Sequence, residues 1–139
     1  MATFNKFNSF VEALAEKVHN LGSDQLSVAL TNTVPSASNT VYTDITSPLA
    51  STNLSGATPY NITTSTSAQT SGTYKLVLAD LVLTATGAYG PFRYIVLFNN
   101  TATNDELIGY YDYGSSISLA NTETFTIDFD ATNGVLTLA

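Results

Sequence analysis

The sequence predicts a mainly β protein, a β-sandwich of about eight strands behind one N-terminal amphipathic α-helix. Three observations predict it. From Phe92 to Ala139 the chain is a series of short apolar runs punctuated by turn residues. Near its end, Asn133-Gly134 separates Phe125-Thr126-Ile127-Asp128-Phe129 from Val135-Leu136-Thr137-Leu138, the signature of a tight type I′ hairpin. Helical periodicity is confined to the N-terminus, where Phe4, Phe7, Val11, Leu14, Val18 and Leu21 recur at spacings of three and four.

The N-terminal stripe predicts a helix or arm over 1–22, ended by Gly22 as the C′ residue. Its start lies either at Thr3 or at Ser9, where Ser9-Phe10-Val11-Glu12 fits a capping box and leaves Phe4 and Phe7 in a preceding arm. The stripe can lie on the sheet of its own subunit, or meet copies of itself, because its spacing is also a heptad seam.

Residues 23–139 form the predicted β domain. Leu26, Val28 and Leu30 alternate with Ser27, Ala29 and Thr31 as a half-buried strand. The Ser/Thr-rich stretch 33–72 contains Pro35, Pro48, Gly56 and Pro59 and reads as long connections, with short extended pieces around Val41–Ile45 and Tyr60–Thr66. The strand from Thr73 to Ala85 changes parity near Asp80, which calls for a bulge or sharp bend at Ala79-Asp80. Phe92 to Phe98 is apolar on both faces apart from Arg93, as in a central strand covered on both sides, and Arg93 points opposite Phe92 and Tyr94. In the C-terminal hairpin the two-residue loop pairs Phe129 with Leu138 and Ala131 with Leu136, setting apolar against apolar.

Composition narrows function. The 139 residues contain no cysteine, no tryptophan and one histidine, His19, which removes thiol catalysis, thiolate metal sites and disulfides. With 11 acids against 4 bases and a net charge of -7, the chain repels a phosphate backbone or an anionic membrane, so neither nucleic acid nor membrane is an expected partner. No apolar run approaches the ~20 residues needed to cross a bilayer, and Met1 to Leu21 lacks the pattern of a secretory signal. Charged residues make up only 11%, against ~25% in an ordinary soluble domain, so Ser, Thr and Asn fill the surface. Such groups cost less to desolvate than ions when buried against neighbours.

Several residues invite a chemical reading. Asp128 and Asp130 lie two apart on one strand face, within reach of a shared cation or a two-carboxylate hydrolysis mechanism, but they read as solvent-facing strand acids, because the polar side of a one-sided sheet is where acids belong. The calcium-loop pattern fails because its glycine comes one position late and no glutamate closes it. His19 has no Gly-x-Ser-x-Gly elbow and suits a helix C-terminal dipole partner. Tyr111 and Tyr113 share a face opposite Tyr110, and exposed tyrosines there can bind sugar or a protein neighbour. Arg93 is a surface ion-pair partner or an interface anchor. Asn53, Asn61 and Asn99 begin glycosylation-type triplets of the kind an Asn/Thr-rich chain produces by chance. Neither a cofactor nor a metal site is expected, and the chain reads as a non-enzyme.

The N-terminal amphipathic segment, LSVALTNTVPSASNTVYTDIT from Leu26, TSGTYKLVLADLVLTATG from Thr70, GPFRYIVLFNNT from Gly90, LIGYYDYGSSISL from Leu107 and ETFTIDFDATNGVLTLA from Glu123 together resemble the small virion structural proteins of tailed bacteriophages. The resemblance implies a jelly-roll-like sandwich and, most specifically, a capsid decoration (cement) protein. Such a protein sits on the head surface as a homotrimer and clamps neighbouring copies of the major capsid protein, having waited in the host cytoplasm before assembly. A tail or fibre module that binds a receptor carbohydrate is the alternative the same resemblance allows. Interface candidates on this reading are Phe4, Phe7, Val11, Leu14, Val18, Arg93, Tyr111 and Tyr113.

Overall fold

A computed structural model describes residues 2–139. Among them the chain forms β1 (Phe4–Lys6), α1 (Phe10–Ala15), β2 (Leu26–Thr31), a 3₁₀ turn at Tyr42–Asp44, β3 (Asn61–Ile62), β4 (Thr64–Thr70) and β5 (Thr73–Leu78). β6 (Leu81–Thr84), β7 (Tyr89–Asn99), β8 (Leu107–Leu119), β9 (Thr124–Ile127) and β10 (Leu136–Leu138) follow. The fold is mainly β, and every strand pair is antiparallel. A five-stranded sheet runs β1-β8-β7-β2-β3, a three-stranded sheet β10-β5-β4, and β6 and β9 form a two-stranded ribbon.

The largest core lies on one face of the five-stranded sheet, where Leu26, Leu30, Phe92 and Ile95 meet Leu76 and Leu78 of β5 and Leu83 of β6. The opposite face carries a smaller cluster of Phe7, Ala29, Ile45, Val96, Phe98 and Leu107. β7 therefore is the expected central strand, with β2 and β8 on its flanks and apolar side chains on both faces. The expected bend also falls at Ala79-Asp80, where β5 ends and β6 leaves for another sheet.

Several expectations are corrected. The N-terminal stripe is not one helix: of the two expected starts, Ser9 is the one observed, although its side chain makes no cap, and Phe4 and Phe7 precede the helix. Phe4 lies on β1, pairing with Tyr111, and Phe7 is fully buried in the smaller cluster. Only Phe10–Ala15 is helical, and Lys17 rather than Gly22 supplies the left-handed residue that ends it, at φ 67°. Val18 N–H donates to Ala13 O and Lys17 N–H to Leu14 O, the bond pair of a Schellman motif. Strand pairing with β8 gives the backbone of residues 4–6 its partners, so spacing alone did not carry the helix back to Phe4.

The C-terminal hairpin does not form either. β9 pairs with β6, and β10 pairs with β5 through Leu136↔Leu76 and Leu138↔Tyr74. The Asp130 carboxylate accepts the N–H groups of Thr132 and Asn133, each at 2.8 Å, and the Asn133 side-chain amide at 2.8 Å. Gly134 N–H donates to Asp130 O, and Val135 N–H to Leu76 O, which widens the turn and delivers the chain to β5. Gly134 takes φ 80°, and a Cβ there would stand 2.6 Å from Leu76 O.

Finally, β7 is bulged. Its register with β8 jumps from Tyr94↔Asp112 to Phe92↔Ile117, so Phe92 joins the larger core while Val96 and Phe98 face the smaller one. Phe92 and Tyr94 thus do not share the face that simple alternation assigned them. The long connections of 33–72 are held to the rest of the fold by hydrogen bonds. The Asp44 carboxylate collects the N–H groups of Thr40 and Val41, Leu49 N–H donates to Leu30 O, and Tyr60–Thr66 supplies β3 and part of β4 as expected. Val41–Ile45 instead forms the 3₁₀ turn beside a single bridge from Val41 to Glu106.

Candidate functional site

The predicted interface residues divide into separate groups. Phe4, Tyr111 and Tyr113 converge on one cleft of about 450 Å³. Phe7 is enclosed beneath Tyr110, with ring centroids 5.5 Å apart. On and after α1, Val11 stays 52% exposed, while Leu14 and Val18 are half-buried. Arg93 lies outside the cleft and grips Asp112 with both prongs of its guanidinium, Nε to Oδ1 at 2.7 Å and Nη2 to Oδ2 at 2.9 Å.

That ion pair shapes the cleft from a distance. Asp112 Oδ1 also accepts Gly114 N–H at 2.8 Å, with Gly114 at φ 98°. The Arg93 fork and this N–H hold the Asp112 carboxyl below its ordinary range. Braced in this way, residues 113–116 bulge from the β7–β8 ladder, and Tyr113 stands 53% exposed with its ring edge-on to Phe125, 5.6 Å between centroids. Further along, Tyr111 packs between Phe4 at 5.4 Å and Phe129 at 6.2 Å. Burial, then the nearby Asp130 charge, pushes its phenol up to about 12.

The other wall of the cleft is β9 and the residues after it. Six consecutive residues, Phe125 to Asp130, line it. A strand shows alternate side chains to its two faces, so an unbroken run of lining residues means that its edge, not a face, borders the cleft. β9 has one strand neighbour, β6, so that edge is open. The floor is core, made by Ile95, Ile127, Phe129 and Val135.

Asp128 and Asp130 both line this cleft. Asp130 is occupied by its turn, and the N–H and side-chain amide of Asn133 hold its carboxyl below the ordinary range. A catalytic acid needs the opposite displacement, so Asp130 is placed as a turn anchor rather than a proton donor. Among the described residues no group of three or more His, Asp or Glu side chains gathers to hold a metal ion.

His19 is buried beyond the end of α1, not at its C-terminus, with its ring 5.4 Å from Phe10. Asn99 fixes its tautomer. The Asn99 Oδ1 accepts the N–H groups of Thr101 and Ala102, which aims Nδ2 at His19 Nδ1 (3.0 Å) and Asp24 Oδ2 (2.6 Å). Nδ1 must therefore accept, leaving the proton on Nε2. Desolvation lowers the imidazole pKa against the opposing charges of Glu106 and Asp24. The glycosylation-type asparagines are engaged as well: Asn53 donates to Ala88 O, Asn61 accepts Ser27 Oγ, and Asn99 is fully buried.

Sequence reasoning found the tyrosine wall but not its partner. The missed residues are Thr126 and Ile127 as an open edge, and Asp80, whose carboxylate receives Phe129 N–H at 2.9 Å. No protein-family model, curated protein or solved structure matches this chain.

Proposed function

We propose that this chain is a non-enzymatic structural protein of a tailed-phage particle, and most specifically a capsid decoration protein that holds neighbouring head subunits together as a homotrimer. The segments from Leu26 to the C-terminus quoted above support the phage reading, and the same resemblance carries the finer reading of the fold as a jelly-roll-like sandwich. The observation that carries the adhesive part is the provision of open, weakly charged edges. β4 is a terminal strand of seven residues, Thr-Ser-Thr-Ser-Ala-Gln-Thr, with no charged group, and β9 borders an apolar cleft. Isolated monomers usually guard such edges with lysine, proline or bulges; β4 has neither lysine nor proline, and its one bulge, between Thr64 and Thr66, leaves Thr66 to Thr70 as a regular open edge. A contact that exists only on the assembled shell stabilises the shell by mass action, without chemistry.

The test is addition of the purified chain to heads assembled without it. Saturable binding that raises the temperature of head disruption supports the reading, and heads that neither bind the chain nor gain stability would refute it. A tail or fibre module is the second reading, favoured by the exposed Tyr113 at the cleft mouth.

A further inference from the structure

The cleft lies between two terminal strands of different sheets. β1 is the terminal strand of the five-stranded sheet and puts Phe4 on one wall; β9 is half of a two-stranded ribbon and forms the other. The direction of its backbone groups follows from three hydrogen bonds. Ala85, just after β6, donates to Glu123 O and accepts Thr122 N–H, each at 2.8 Å, so its peptide groups face the β9 side. Peptide groups alternate in direction along a strand, so Leu83 and Leu81 face their partners Phe125 and Ile127. Phe129 N–H extends the series by donating to Asp80. Thr126 and Asp128 therefore aim N–H and C=O away from β6, toward the cleft, with no strand beside them.

We propose that this cleft is a docking groove for an extended segment of a partner polypeptide, which adds to the open edge of β9 and seats alternate apolar side chains against Phe4, Tyr111 and Tyr113. Unpaired main-chain groups select another main chain as occupant, since β-strand addition satisfies them while alternate side chains fill pockets. The apolar floor of Ile95, Ile127 and Val135 selects aliphatic or aromatic residues at those alternate positions. The edge from Thr124 to Asp128 is about 16 Å long, room for about five docked residues. Charge sets the rest of the specificity. The exposed Asp128 and the net charge of -7 disfavour an acidic segment and favour a lysine or arginine at the end of the strand nearest Asp128. This names the kind of partner for the adhesive reading and rests on that reading only for the partner's role in a particle; the groove itself is tested separately.

The test uses the full ¹⁵N-labelled chain and a pool of acetylated, amidated heptapeptides. Each peptide carries Val, Ile, Phe or Tyr at alternate positions, Ser or Thr between, and one terminal Lys. Saturable binding with Kd below about 1 mM is expected, with the Thr126 and Asp128 amides shifting and exchanging at least about tenfold more slowly. The same peptides N-methylated at alternate residues should lose binding. Thr126→Pro should also lose it while keeping the β6 ladder, because it removes an N–H that faces away from β6. The inference is overturned by the absence of saturable shifts, by shifts remote from the cleft, or by N-methylated peptides binding equally well. Shifts at these amides with a neutral oligosaccharide such as maltoheptaose, but not with the peptides, would assign the cleft to sugar instead.

Discussion

The ring of Phe4 lies over Gly109, in the space that a Cβ on Gly109 would occupy. This contact seats β1 on β8, because Lys6↔Gly109 and Phe4↔Tyr111 are register pairs of the same ladder. Gly109→Ala should push the ring toward the cleft and strain the backbone at Asn5, costing about 1–3 kcal/mol. Thermal unfolding measures the loss, and aromatic NMR signals of Phe4 and Tyr111 report the displacement. A variant as stable as the parent with unmoved rings would show that the close approach is not needed.

Lys17 supplies a left-handed C′ residue where glycine is strongly preferred. Lys17→Gly should therefore raise stability, by about 0.5–1 kcal/mol, since removing the Cβ strain exceeds the added freedom of the unfolded chain. Chemical denaturation checks the sign.

His19 predicts a pH dependence near neutrality. Its folded-state pKa is lowered by burial from the ordinary 6.5, so the unfolded chain takes up the proton first as pH falls. Stability attributed to this group should be complete above about pH 7 and decline as pH drops through 6.5 toward the folded value. Protonation would place an Nδ1–H against the Asn99 amide donors, breaking the tie between the segment after α1 and the turn at 99–102. His19→Leu should flatten the stability slope between about pH 5 and pH 7, and ¹⁵N shifts of the ring should show the proton on Nε2.

The C-terminal turn rests on a different titration. Asp130 and Asp112 both have lowered pKa values, so the stability they contribute is present above the ordinary carboxylate range and is lost as pH falls below about 4. Asp130→Ala should speed amide exchange at Thr132 and Asn133 and loosen β10, leaving β7 and β8 protected. Uniform loss of protection across the five-stranded sheet would contradict this separation.

The class of fold was legible because β7 and the strands around it are patterned locally: Phe92 to Phe98 reads as central, and the parity change at Asp80 marks the passage between sheets. Errors arose where two local signals competed or a distant partner decided. Phe4 and Phe7 keep helical spacing with Val11, yet pairing with β8 draws Phe4 into a strand and Phe7 into the smaller core. Asn133-Gly134 promised a two-residue turn, but the Asp130 carboxylate captures the Thr132 and Asn133 amides, and β10 pairs with β5 instead of β9. The tyrosine wall could be read from the alternation of Tyr111 and Tyr113. Its opposing edge could not, because nothing local to Thr126 announces that β9 has a neighbour on one side only.

Cryo-imaging of phage heads to which the purified chain has been added, at a resolution that traces strands, tests the proposed capsid role. The expected result is this β fold on the outer surface of the head, repeated around local threefold axes, with the cleft between β1 and β9 filled by an extended segment of a neighbouring subunit. Particles in which this density is missing, or appears on the head with the cleft open to solvent, would contradict it.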